Sequence, residues 1–326
     1  MATAQSQPDI LIRPLVESDL PETRRIIRLA FATFLGLPTD DPRMGGDSDA
    51  AGTRWKSDPA SVLAAEHAGK LIGSNFATDW GSFGFFGPLT VEPEYWNRGV
   101  AQLLLAPTME IFQRWGTRHL GLYTFTHSPK HIALYQKFGF WPRDLVAVMA
   151  KQTPPASAAR SSDYEITRLS ETIIEDRLQI LAACAEVTNA NFEGLDVERE
   201  IRAVDIQKLG DTILLLDASK LAAFAVCHSG PGSEAGSAAC YVKFAAVRPG
   251  RRASETLERL LDSVEDYARA VIATKITAGV NLARREAFQA LSARGFRTEI
   301  QGLAMETGDE NSGYNRAGVH TLDDWR

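Results

Sequence analysis

The chain has 326 residues, 44% of them hydrophobic and 23% charged, with a formal net charge of −6, values of an ordinary globular protein long enough for two domains. Its acidity and lack of a basic tract argue against nucleic acid as the main partner, and no apolar run reaches the length of a membrane span. Cys184, Cys227 and Cys240 are too few and too scattered for a disulfide framework or a zinc site. The start, MATAQSQPD, has neither the basic end nor the apolar core of a signal peptide, so a cytoplasmic protein with buried thiols is expected.

In chain order, ILIRPLVESDLPE from Ile10 reads as a short strand and then a helix start. HAGKLIGSNFATDWG from His67 is a hairpin turn entering an apolar strand. A strand from near Phe85 ends at Val91, and Pro93, lacking a donor, helps to stop it. A polar turn with Arg98 and Gly99 leads into an apolar helix, Val100 to Arg114. A further strand follows, then a helix carrying Tyr135, then Gly139-Phe140.

Residues 151–163 are rich in Pro, Ala and Ser and read as a linker, after which the pattern returns. YEITRLSETIIED from Tyr164 resembles the segment at Ile10, and DASKLAAFAVCHSG resembles the hairpin at His67. VRPGRRASETLERLL from Val247 aligns with VEPEYWNRGVAQLLL from Val91. The separations Val91 to Gly139 (139 − 91 = 48) and Val247 to Gly295 (295 − 247 = 48) are equal. Self-similarity of this length predicts one α/β unit written twice, each copy a mixed sheet covered by helices. The expected division is 1–152, a linker at 153–163, a second copy at 164–307 and a tail at 308–326 that packs on the body through Tyr314 and Trp325.

The turn before Val100 has its own chemistry. Gly99 has no Cβ, so backbone can approach a ligand closely there, and Ala101 is small for the same reason. The helix then opens with free N–H groups and a positive dipole end, a site for a pyrophosphate with Arg98 as a charge partner. The plain alternative is a strand–helix turn in which Gly99 serves chain geometry.

Val91, Pro93, Gly99 and Ala101, followed by Leu134, Tyr135, Gly139 and Phe140, resemble the two motifs of the GNAT superfamily, the acyl-CoA-dependent N-acyltransferases. Trp96, Ser128 and His131 depart from the family pattern, which has Gln or Arg, Asn and Ala there. The resemblance implies two tandem GNAT-like domains, each with splayed central strands and a cofactor entering the gap. It implies acetyl-CoA as cosubstrate, with Leu89, Val91, Trp96, Asn97, Arg98, Gly99, Val100, Ala101, Ser128 and His131 around it. Tyr135 would be the general acid facing the cofactor sulfur; its alternative is a core aromatic among Ile132, Leu134 and Phe138. A backbone N–H near Leu89 to Val91 would hold the thioester carbonyl. The loop from Met44 to Gly52, with Trp55, would cover the substrate as a lid.

The second copy departs at each chemical position: Glu255 stands for Gly99, Leu257 for Ala101, Ser254 for Arg98 and Leu291 for Tyr135. It is expected to keep the fold and serve as a non-catalytic partner. The general base is open among Asp79, Glu92, Glu94, His127 and a water chain. His127 and His131 have Ser128-Pro129 between them and no third ligand, so no metal is expected. Of the aromatics Trp80, Phe83, Phe85, Phe86 and Trp96, two or three are candidates for an acceptor pocket and the rest for packing. The expected activity is acetyl transfer to a primary amine of a small molecule or peptide, with no nucleic-acid or membrane partner and a homodimer left open. The rival is a non-catalytic acyl-CoA or metabolite sensor.

Overall fold

The computed structural model describes residues 9–38, 40–41, 46–156, 163–308 and 313–326. Met44 of the expected lid, most of the linker and part of the tail lie outside the described residues.

The first copy runs β1 (Ile10–Pro14), α1 (Leu20–Leu35), α2 (Ala50–Ser57), β2 (Val62–His67), β3 (Lys70–Trp80), β4 (Phe83–Phe86), β5 (Thr90–Val91), α3 (Val100–Trp115), β6 (His119–Thr124), α4 (Pro129–Gln136) and β7 (Trp141–Gln152). The second repeats the order as β8 (Tyr164–Arg168), α5 (Arg177–Asn191), α6 (Glu198–Gln207), β9 (Gly210–Asp217), β10 (Lys220–Gly230), β11 (Gly236–Val247), α7 (Ala253–Ala270), β12 (Lys275–Asn281), α8 (Arg285–Ala293) and β13 (Arg297–Glu306). The tail adds β14 (Thr321–Leu322), which pairs with β11.

Helix α3 forms because Val100, Leu104, Leu105, Thr108, Ile111 and Phe112 share one buried face at helical spacing, and Gly116 at φ 71° closes it with a left-handed cap. The single strand expected from Phe85 to Val91 is two pieces. Gly87 takes φ 148°, a conformation open to glycine, and Pro88 has no N–H for a ladder. Beyond that break the chain keeps its pairing with β3, through β5, but no longer pairs with β6.

The two sheets join into one, in the order β1-β2-β3-β4-β6-β13-β7-β12-β11-β10-β9-β8. The last strands are exchanged: β13 of the second copy pairs antiparallel with β6 of the first, and β7 of the first pairs antiparallel with β12 of the second. Met305 of β13 therefore sits in the core under α3, with Leu104 and Leu105. Met149 of β7 sits in the core under α7, with Leu257 and Leu260. Each such side chain contributes about 1.5–3 kcal/mol by burial, so each copy's stability depends on the other's strand. A further core lies between the copies, where Trp80, Phe83 and Phe85 meet Phe224, Phe244, Tyr314 and Trp325. The tail packs on the body, with Tyr314 fully buried and Trp325 nearly so. The three cysteines are free and buried.

Candidate acyl-donor site

β4 and β6 pair in parallel from Phe83 to Phe85 against His119 to Gly121, and then separate. Beyond the split lies a cavity of about 650 Å³. One wall is Leu89, Thr90 and Val91. Another is the turn and first residues of α3, Trp96, Asn97, Gly99, Val100, Ala101 and Gln102. The far wall is Phe125, His127, Ser128, Pro129 and the α4 residues Lys130, His131, Ala133, Leu134 and Tyr135. Nine of the ten residues expected around the cofactor line this cavity, as does Tyr135. Arg98 does not: its guanidinium lies over the Tyr95 ring at 5.1 Å.

Asn97 and Gly99 both take left-handed backbone, φ 65° and 80°. They fold the turn so that α3 starts at the cavity wall. The first intrahelical bond runs from the Leu103 N–H to the Gly99 carbonyl, which leaves the amides of Val100, Ala101 and Gln102 ahead of the ladder. No side chain caps this helix and no acid lies in its first turn. With Lys130 and Lys137 on the wall and no carboxylate among the described lining residues, the cavity suits an anion. Trp96, the departure from the family turn, donates its indole N–H to the Val91 carbonyl at 2.7 Å and so ties the turn to the end of β5. Ser128 accepts from the His131 N–H at 3.4 Å as the cap of α4.

Tyr135 is buried at the cavity wall, its ring 5.8 Å from Phe86 and its hydroxyl near the Thr124 side chain. Burial pushes its phenol up to about 12, so it holds its proton at neutral pH. Burial, with Lys130 and His127 nearby, pulls His131 down, which keeps that imidazole neutral.

The remaining candidates sort by position. Asp79 lies outside the cavity: it accepts from the Gly81 N–H at 2.8 Å and pairs with Arg199 of the second copy at 3.2 Å. Glu92 is paired with Arg25 at 2.5 Å. Glu94 is exposed on the turn, and only His127 of the four lines the cavity. Trp80, Phe83, Phe85 and Phe86 do not line it either, because the first three are spent on the contact between copies. Phe31 and Phe34 at the end of α1 do, with Phe34 stacked 5.4 Å from His127 and 5.1 Å from His131. Sequence reading missed them; the three-residue spacing of two aromatics at the end of α1 was the available signal.

The expected lid is anchored. Trp55 donates to the Leu15 carbonyl at 2.9 Å, and Asp47 accepts from the Ser237 N–H at 2.9 Å. The Asp49 N–H bonds the Ser233 carbonyl, and Arg54 pairs with Glu234 at 2.8 Å. The second copy thus holds residues 46–57 in place.

In the second copy the matching helix start carries an acid and touches the tail. Arg252 pairs with Glu255 at 3.1 Å, the Ser254 hydroxyl meets His320 at 3.0 Å, and Leu257 and Leu291 are fully in the core.

Residues 28–140 match the model of the Acetyltransferase (GNAT) family. No curated protein sequence matches the chain. Among solved structures, a Pyrococcus horikoshii chain described as an acetyltransferase superposes with TM-score 0.67 at 12% identity, covering 97% of this chain and 95% of that one. A GCN5-related N-acetyltransferase of Sphaerobacter thermophilus gives 0.58 at 14%, over 94% and 99%. A tandem GNAT protein from the clavulanic acid biosynthesis pathway gives 0.58 at 12%, over 92% and 98%. The family match is confined to the first copy, and over nearly its whole length the chain shares the fold of these structures, a tandem GNAT protein among them. Among the described residues no helix is long and apolar enough to cross a membrane, and no cluster of three His, Cys, Asp or Glu residues is set to hold a metal.

Proposed function

We propose that the first copy, residues 1–152, is an N-acetyltransferase that uses acetyl-CoA and a primary amine of a small molecule or peptide, and that residues 164–307 are a degenerate copy. The single observation that carries this is the contrast between two equivalent helix starts. That of α3 is free of acid and opens to a cavity with Tyr135 in its wall; that of α7 carries Glu255, paired with Arg252, and meets the tail through Ser254 and His320.

When bound, acetyl-CoA supplies an acyl group activated as a thioester. The amides of Val100, Ala101 and Gln102 are placed for its phosphates, with Lys130 and Lys137 adding charge. Leu89 and Val91 offer the backbone beside the acyl end. Tyr135 holds a proton for the departing sulfur; a thiol's ordinary value of about 8.5 lies below that of this phenol, so the hydroxyl acts by hydrogen bonding more than by full ionisation. Two lysines and no acid make the cavity hostile to an ammonium ion, so the amine attacks as the neutral base, its proton leaving to His127, His131 or solvent. The sensor reading retains one observation in its favour, the lack of a carboxylate among the described residues of the cavity wall.

Turnover of acetyl-CoA with a panel of amines tests the proposal; saturable CoA binding with no turnover of any amine supports the sensor. Tyr135→Phe is expected to lower kcat by about 10²-fold while leaving the Kd for CoA within about twofold. Because the phenol titrates near 12, the kcat profile of the parent should rise with pH as the amine loses its proton and show no falling limb from Tyr135 below about pH 11. Full turnover in the Tyr135→Phe variant, measured where chemistry is rate-limiting, would make this side chain a packing residue.

A further inference from the structure

Both copies have a splayed pair of strands. In the second, β11 and β12 pair in parallel only from Ala239 to Val242 against Lys275 to Ala278, and then diverge as β4 and β6 do in the first. The first gap is the 650 Å³ cavity; the second is filled by the chain's own tail. Thr321 and Leu322 pair antiparallel with Ala246 and Ala245 on one arm of the gap, and the Val247 N–H donates to the His320 carbonyl at 3.1 Å. Val247 is the counterpart of Val91 (247 − 91 = 156). On the other arm Arg284, counterpart of the cavity residue Ser128 (284 − 128 = 156), donates to the Thr321 carbonyl at 3.2 Å and to Asp323 at 2.7 Å. One end of the segment reaches the start of α7 through His320 and Ser254, and the other meets Tyr241, whose hydroxyl donates to Asp324 at 2.9 Å. Leu322 lies in the core between them.

We infer that residues 318–324 are a tethered peptide ligand of the second copy, lying where the first copy keeps its cavity, and that this groove takes the same extended acidic peptide in trans once the covalent link is cut. The inference rests on the tandem architecture and not on catalysis by the first copy. The recognition is that of an added strand: antiparallel pairing beside Ala245 and Ala246, with the backbone bond from Val247, holds the peptide, and side chains read it. Arg284 is the reader of greatest weight. It is fully buried with its charge matched by Asp323, and an uncompensated charge at that depth is strongly disfavoured. The second copy has thus exchanged a groove for an anionic cofactor, with an open helix start, for one that holds a peptide by a single internal ion pair and a short strand.

The test uses the full chain. A protease site replaces residues 309–312, the folded protein is cut, and a fluorescent peptide of residues 313–326 is offered. The expected result is that the cut tail co-elutes with the body on gel filtration and is exchanged by the peptide to one per chain. Peptide carrying Asp323→Asn should compete at least about tenfold less well, since a charge-assisted bond is lost. Departure of the tail on cutting with no change in melting temperature overturns the inference, as does equal binding of the parent and Asp323→Asn peptides. It is overturned too if calorimetry on the exchanged protein shows CoA entering the second groove. Loss of amine acetylation with peptide exchange intact would defeat the proposed function alone; failed exchange with turnover intact would defeat the tail ligand alone.

Discussion

A Gly99→Glu chain is expected to bind CoA at least about a hundredfold more weakly than the parent, which is about 2.7 kcal/mol. Two physical effects add. Gly99 sits at φ 80°, and a side chain in that left-handed region costs roughly 1–2 kcal/mol. The new carboxylate would also stand beside the uncapped amides of α3, where it would cap the helix itself and repel phosphates. Gly99→Asn separates the two, because Asn tolerates the left-handed region, as Asn97 does two residues earlier, and adds no charge. The Asn variant should lose no more than about tenfold, the remainder of the Glu effect being charge. Titration calorimetry with CoA measures both, and should find one site per chain in the parent. Affinity in the Glu variant within about threefold of the parent would place the phosphates elsewhere.

The second expected result concerns the chain cut back to residues 1–152. The exchange of last strands means that this fragment loses more than a neighbour. β6 is left without its partner β13 from Gly121 to Thr124, and β7 keeps neither β12 nor β13. The run Val146 to Ala150, buried throughout in the full chain, would become an exposed apolar strand. Met305 and Leu303 would also vanish from the core under α3. The fragment should therefore aggregate or form a dimer in which each β7 takes the place of the other's β13, and sedimentation should show no folded monomer. A monomeric, soluble fragment with unchanged acceptor kinetics would mean that the second copy is dispensable to the first and serves a separate partner.

The positions proposed to carry chemistry were legible because they are local. A glycine without a Cβ at position 99, a small residue at 101 and an apolar helix face are all written within a few residues, and nine of the ten residues expected around a cofactor line the cavity. The duplication was legible for the same reason, since equal 48-residue separations survive even where Glu255 and Leu291 have replaced the chemical groups. Arg98 was misplaced by the same local reasoning: charge beside a phosphate turn implies contact, but a guanidinium can equally rest on the Tyr95 ring, and side-chain direction is decided by neighbours.

What the sequence determined by itself is therefore the two-copy α/β architecture, the acid-free helix start of the first copy and the acidic one of the second. Only the tertiary structure decided which copy owns which final strand, because β7 and β13 are both apolar and antiparallel-competent, and pairing depends on backbone partners that carry no side-chain signature. It also decided that Trp80, Phe83 and Phe85 face the other copy, that Phe31 and Phe34 reach the cavity, and that the tail lies in the second splay. Those are contacts across tens to hundreds of residues, and their energy comes from burial and hydrogen-bond satisfaction in the assembled molecule, to which no local periodicity responds.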